Sequence, residues 1–240
     1  MQDSFIDGCG LFLFSEAVSP EFKEDVLTAT LYGQLAASFQ HDKFGETQAW
    51  LHTYFSALNT FSCLIRSRDV QSVPLDINDS TWSYTATRLA KRVSPALLKR
   101  AESALKAIFK GSEASPVGKL LVAQTTQGLP LEEAPQPKSG QLIPALDDTQ
   151  EKQLHNVVLL LGFIDSEPVV DMVILAFKTG LPVDEVPLSR LFEPGGNIGN
   201  LEIAVVAAEL DQHGFGYLRK DLMAKLGARR DQFIVELRED

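Results

Sequence analysis

The residue with the most direct chemical potential is Cys9. It stands in DGCG, residues 7–10, where glycine on both sides would present a thiolate on a tight, accessible turn. No histidine adjoins it, and a small buried apolar residue at a strand bend is the plainer reading. Cys63, between Phe61 and Ile65 on an apolar helix face, reads as core.

The four histidines are His41, His52, His155 and His213. Glu151 and His155 stand four apart, as do Glu209 and His213, so each pair would share one helix face. Two such pairs on facing helices resemble the start of a carboxylate–imidazole metal site. The E-x-x-H spacing and extra glutamates of such sites are missing. Surface i,i+4 pairs are therefore expected, with no metal and no cofactor. The glycine-rich EPGGNIGN, 193–200, offers backbone amides to an anion ahead of a segment capped by Asn200. It lacks a lysine and the G-x-G-x-x-G spacing, which favours a plain connector. The chain has no HExxH, CxxC, G-x-S-x-G or Walker-type GKS or GKT.

Charge is the most unusual feature. From residue 88 to 110 run Arg88, Lys91, Arg92, Lys99, Arg100, Lys106 and Lys110 against the single acid Glu102, in a protein whose net charge is −10. Such a stripe would receive an acidic partner or a phosphate group; the competing reading is a solvated face balanced by internal acids.

The elements that would position these residues read mostly as helices. Ser19-Pro20, Ser94-Pro95 and Ser115-Pro116 each set a hydroxyl N-cap before a proline at the first helical position, and Ser166-Glu167-Pro168 is a looser version. Gly111, Gly128, Gly180, Gly214 and Gly227 read as stops. Helical spacing joins Phe22, Val26, Ala29, Gly33 and Ala36; Trp50, Tyr54, Leu58, Phe61 and Ile65 across 47–70; and Leu97, Ala101, Ala104, Leu105 and Ile108. Only Cys9–Phe14 and Gln232–Arg238 read more readily as strand.

One phrase occurs twice. TQGLPLEEAP at 126–135 returns as KTGLPVDEVP at 178–187, a shift of 52 residues, with further echoes along the chain. This predicts a mainly α protein of stacked helix pairs, with a repeat of about 52 residues and a small β element from the chain ends. In this scheme Gly128 and Gly180 close helices with positive φ. The alternative is α+β, with antiparallel hairpins at 156–177 and a strand at 201–210. Four prolines and two glycines in 125–148 suggest a connector at 131–145, dividing an aromatic-rich half, 1–130, from a second half, 146–240, unless the whole is one domain.

Bulk properties narrow the function. An isoelectric point near 4.9 argues against general nucleic-acid binding. Two cysteines suit a reducing compartment, and MQDSFIDGCGLFLF has no basic region of a signal peptide, so a cytoplasmic location is expected. No apolar run is long enough to span a membrane. The leading expectation is a non-enzymatic protein-binding or scaffold protein that offers a helical groove and the basic stripe Arg88, Lys91, Arg92, Lys99, Arg100 and Lys106 to a protein partner. The alternative is an enzyme or carrier with an apolar ligand or acyl pocket, built from Phe5, Phe12, Phe14, Phe22, Tyr32, Trp50, Tyr54, Phe55 and Phe61, with Cys9 as nucleophile or acylation point.

Overall fold

A computed structural model describes residues 3–75, 78–108, 116–129, 154–181, 183 and 188–237. In chain order the elements are β1 (Asp3–Asp7), β2 (Gly10–Phe14), α1 (Pro20–Gln40), α2 (Thr47–Thr60), β3 (Cys63–Pro74), α3 (Thr81–Leu89), α4 (Pro95–Ala107), α5 (Pro116–Thr125) and β4 (Thr126–Gly128). There follow β5 (His155–Ile164), β6 (Val169–Thr179), α6 (Leu188–Leu191), β7 (Ile198–Leu210), α7 (Gln212–Leu226), α8 (Ala228–Phe233) and β8 (Ile234–Leu237).

The strands form one mixed eight-stranded sheet in the order β3-β7-β6-β5-β2-β1-β8, with β4 also paired to β5. All neighbours are antiparallel except β2 and β5. Strands from before and after residues 131–145 are therefore hydrogen-bonded side by side; the expected connector itself lies outside the described residues. Helices cover both faces. Phe22 and Val26 of α1, Trp50 and Tyr54 of α2 and Phe215 of α7 pack with Val158, Leu160, Met172 and Ile174. Leu89 of α3, Leu97 and Leu105 of α4 and Leu121 of α5 pack on Val157, Leu159, Leu161 and Val173.

This corrects the mainly α expectation, and the α+β alternative is the closer one. A strand buried on both faces needs no polar residue at alternate positions, so its period of two disappears from the sequence. In β5, Val158 and Leu160 face one helical layer while Val157, Leu159 and Leu161 face the other. β7 was obscured further by its alanines, which favour helix by propensity yet sit in the sheet opposite β3 and β6. The helix expected over 47–70 ends at Thr60, and the chain turns at Ser62, φ 60°, into β3.

The doubled phrase is not a helical repeat. Gly128 ends β4 and Gly180 follows β6, and neither is among the positive-φ glycines Gly8, Gly195, Gly199 and Gly227. Both copies end strands that flank the start of β5: His155 pairs with Gly128 on one side and with Thr179 on the other. Like phrases end like strands at nearly the same level of one sheet. Of the other expected stops, Gly214 lies inside α7, Gly111 lies outside the described residues, and Gly227 does close α7, donating its N–H to Met223 O at 3.0 Å.

The helix starts are placed as their capping chemistry requires. Ser19 Oγ accepts Phe22 N–H (3.2 Å) and Ser94 Oγ accepts Leu97 N–H (3.4 Å). One turn then ties both layers to the sheet. Between β5 and β6, Asp165 accepts Ser94 N–H (2.8 Å) and Ser94 Oγ–H (2.7 Å), while Glu167 accepts Ser19 N–H (2.6 Å). The looser Ser-Glu-Pro at 166–168 belongs to this turn and starts no helix. Among the described residues no helix is long and apolar enough to cross a membrane.

Candidate functional site

Cys9 sits in the β1–β2 turn. The pairing of Asp7 with Gly10 leaves Gly8 and Cys9 as a two-residue loop, and Gly8 takes the positive φ (57°) that such hairpin turns ask of their first central residue. α1 closes over this loop: Gln34 Nε2–H donates to Asp7 O and Gln34 Oε1 accepts Cys9 N–H, both at 2.9 Å. Cys9 is buried, and burial pushes its thiol up, away from the thiolate a nucleophile needs. Cys63 is buried too, and burial pushes it up to about 12. Beneath the loop, the fully buried Asp7 accepts a hydrogen bond from Thr30, and burial holds its carboxyl well above the usual carboxylate range despite that bond and the Arg230 charge. Of the aromatic residues expected to line a pocket, all but Tyr32 only pack in or against the core; Tyr32 packs against Phe61 and also reaches the groove described below. Trp50 stacks on Tyr54 at 5.3 Å, and Phe5 meets Phe14 edge-on at 5.8 Å.

The one histidine pair within the described residues, Glu209–His213, shares no helix. His155 lies in β5 and Glu151 outside the described residues; Glu209, in β7, pairs with Arg66, while His213, in α7, meets the Tyr217 hydroxyl at 3.1 Å. Among the described residues no group of three or more His, Cys, Asp or Glu side chains is placed to hold a metal. The loop 193–200 leads into β7, so Asn200 caps no helix.

The expected basic stripe is divided by the fold. Arg88 Nη2 lies 3.4 Å from Asp69 Oδ2, with its guanidinium over the Tyr84 ring. Arg92 donates to Ser67 Oγ at 3.0 Å and stands 3.7 Å from Asp171. Arg100 reaches across the end of β2 to donate to Phe14 O (3.1 Å) and Ser4 Oγ (2.8 Å). Lys106 pairs with Glu102 one turn back on α4. Lys91 and Lys99 are exposed, with no partner among the described residues. Lys110 lies outside the described residues. Beside Lys106, a hollow of about 170 Å³ is lined by Ser80, Trp82, Glu102, Leu105, Phe192 and Glu193, and its second acid, Glu193, is held by Arg190.

A different surface has cations unpaired among the described residues next to an exposed phenyl ring. α1 runs for 21 residues, but α7 covers only part of it. The two are clasped near the start of α1, where Arg219 donates to both oxygens of the buried Asp25 (2.6 and 2.7 Å) and to Glu21 (2.6 Å). α7 then stops at Gly227, φ 50°, and α8 turns back so that Arg230 meets Glu24. The last turns of α1 extend past that stop. Tyr32, Leu35, Ala36 and Phe39, at i, i+3, i+4 and i+7, line a groove of about 300 Å³ with Leu226. Phe39 is 91% exposed. Lys225 and Arg229 stand on the rim, exposed and without an acidic partner among the described residues.

Sequence reasoning missed this surface. The signal was present: Phe22, Val26, Ala29 and Gly33 account for the inward face of α1, yet Leu35 and Phe39 continue an apolar line beyond it. A larger hollow, about 370 Å³, lies between Phe44 and the ends of β5, β6 and β7; it is of mixed character, with Asn156, Lys178, Ile198 and Glu202 at its walls.

No family model and no curated protein matches the sequence. Among solved structures, a delta-endotoxin is similar at 13% identity and a TM-score of 0.44, over 85% of this chain and 81% of that one. The Evf virulence factor is similar at 8% identity and a TM-score of 0.38, over 95% of this chain and 82% of that one. At these scores and identities neither likeness carries an activity to this chain.

Proposed function

We propose that this chain is a non-enzymatic protein-binding protein that takes its partner in the groove between α1 and α7. The observation that carries this reading is Phe39, a phenyl ring 91% exposed at the end of a helix whose other large apolar residues are covered or line the groove. Burying such a ring is worth about 1.5–3 kcal/mol, a gain that folding alone leaves unused. Aromatic and arginine side chains at the centre of a patch are what protein interfaces concentrate, and an i, i+3, i+4, i+7 stripe is the spacing by which helices dock. The buried, neutral thiols of Cys9 and Cys63 support a binding role over a nucleophilic one.

The test is photo-crosslinking in an extract of the native host, with the photoreactive side chain at position 40, beside Phe39. A discrete protein adduct is expected, competed away by unlabelled wild-type protein and not by Phe39→Asp. Competition by both proteins alike would contradict the reading.

A further inference from the structure

We infer that the segment bound in the α1–α7 groove is an acidic amphipathic helix, an inference that rests on the protein-binding reading above and names its partner class. The apolar line Tyr32, Leu35, Ala36 and Phe39 presents a ridge at helical spacing, which a partner helix meets with its own apolar face. The charges beside that line are of one sign. Lys225 closes the last turn of α7, and Arg229 follows the Gly227 turn. Among the described residues no carboxylate lines the groove; Gln40 and the Tyr32 hydroxyl are its remaining polar groups. The other two arginines of this region are spent internally, Arg219 on Glu21 and Asp25 and Arg230 on Glu24, so the acids of α1 are already neutralised and do not answer Lys225 or Arg229. A partner that seats apolar side chains against Phe39 therefore meets two unpaired cations, and carboxylates on its flank complete the set.

An anionic lipid surface would offer the same two attractions. Two free cations fall short of the four to eight that make a lipid-binding cluster, and the chain as a whole carries −10, which opposes approach to an anionic membrane. A peptide that fits within the groove feels the local rim more than the distant net charge, because salt screens charges beyond about 8–10 Å.

The probe is a displayed library of random peptides of roughly 16 residues, about four turns of helix, selected on the full chain. The enriched peptides should carry Leu, Ile or Phe at i, i+3 or i+4 and i+7 with an excess of Asp and Glu on the flank. Synthetic copies should bind at least about tenfold more weakly to Lys225→Glu/Arg229→Glu, and selection on that double variant should favour Lys and Arg instead. The three substituted residues, Phe39, Lys225 and Arg229, are exposed, and circular dichroism and melting curves confirm that each variant is folded.

Enrichment that Phe39→Asp abolishes, but that shows no acidic excess and ignores the Lys225→Glu/Arg229→Glu reversal, overturns the acidic partner while leaving the groove a protein-binding site. Enrichment equal on wild type and Phe39→Asp, or none on wild type, overturns both. Two further outcomes replace the proposed occupant. One is a dimer in sedimentation that Phe39→Asp dissolves, which makes it a second copy of this chain. The other is retention by vesicles containing anionic phospholipid with no peptide enrichment, which makes it a membrane.

Discussion

Two surface hollows on opposite faces of the sheet contain similar residue types, an aromatic ring, leucine and long cations, yet they differ in what the cations face. Beside α4, Lys106 is paired with Glu102 and Arg190 with Glu193, so the hollow near Trp82 is electrically closed. Beside α1, Lys225 and Arg229 form no ion pair among the described residues, and Phe39 is 91% exposed at the edge of the groove. A cation becomes available to a partner where the fold leaves it unanswered, and the density of lysine and arginine along the chain does not report that. The run from Arg88 to Lys106 is the denser one and is mostly spent on Asp69, Asp171, Phe14 O and Glu102.

The comparison is sharpened most by removing an internal cation on the α7 side. Arg219→Ala leaves Asp25, which is fully buried, without its counter-charge. The expected loss is about 3 kcal/mol, or about 6–12 °C in melting temperature for a chain of this size. A loss under about 2 °C would mean that the clasp is not what holds α7 against α1.

A smaller effect tests the other inward charge of this region, Arg230, which acts on the carboxyl of Asp7. Burial raises the folded-state pKa of Asp7 above its unfolded value of about 3.9, so the folded chain binds the proton more tightly than the unfolded one between those two values. Stability on this account is fully present below the unfolded pKa and declines as pH rises towards the folded pKa. Asp7→Asn removes the dependence. Its melting temperature should gain on the wild type as pH rises above about 4, and a difference that does not change with pH would contradict a buried carboxyl of raised pKa.

The smallest effects on folding separate the two hollows most cleanly in binding. Lys99→Glu/Lys106→Glu and Lys225→Glu/Arg229→Glu all alter exposed side chains, and each pair should change stability by less than about 1 kcal/mol. Only the second pair should weaken partner capture. Equal loss of capture by the first pair would restore the stripe on α4 as the docking surface.

How much of this was legible depended on whether a residue's role is local. The N-caps Ser19 and Ser94 follow from hydroxyl-proline chemistry within three residues, and they stand where the sequence placed them. β2 was likewise read from Cys9–Phe14, and β8 in part from Gln232–Arg238, of which Gln232 and Phe233 belong to α8 and Arg238 lies outside the described residues. The central strands were not, because Val157–Phe163 is apolar towards both helical layers and leaves no alternation to detect. Gly162 shows why it must be glycine only once β2 is in place: a Cβ there would collide with the Phe12 ring lying across it. The groove was hidden for a related reason. The second apolar line of α1 does not say in sequence whether another helix covers it; the stop of α7 at Gly227 leaves Phe39 exposed at its end.

The most direct test of the central claim is amide hydrogen exchange of the chain alone and with its captured partner. Protection should appear over residues 32–40 and 222–229, the two sides of the groove, with little change over 88–106. Protection confined to 88–106, or to the hollow beside Phe44, would contradict the assignment of the binding surface to α1 and α7.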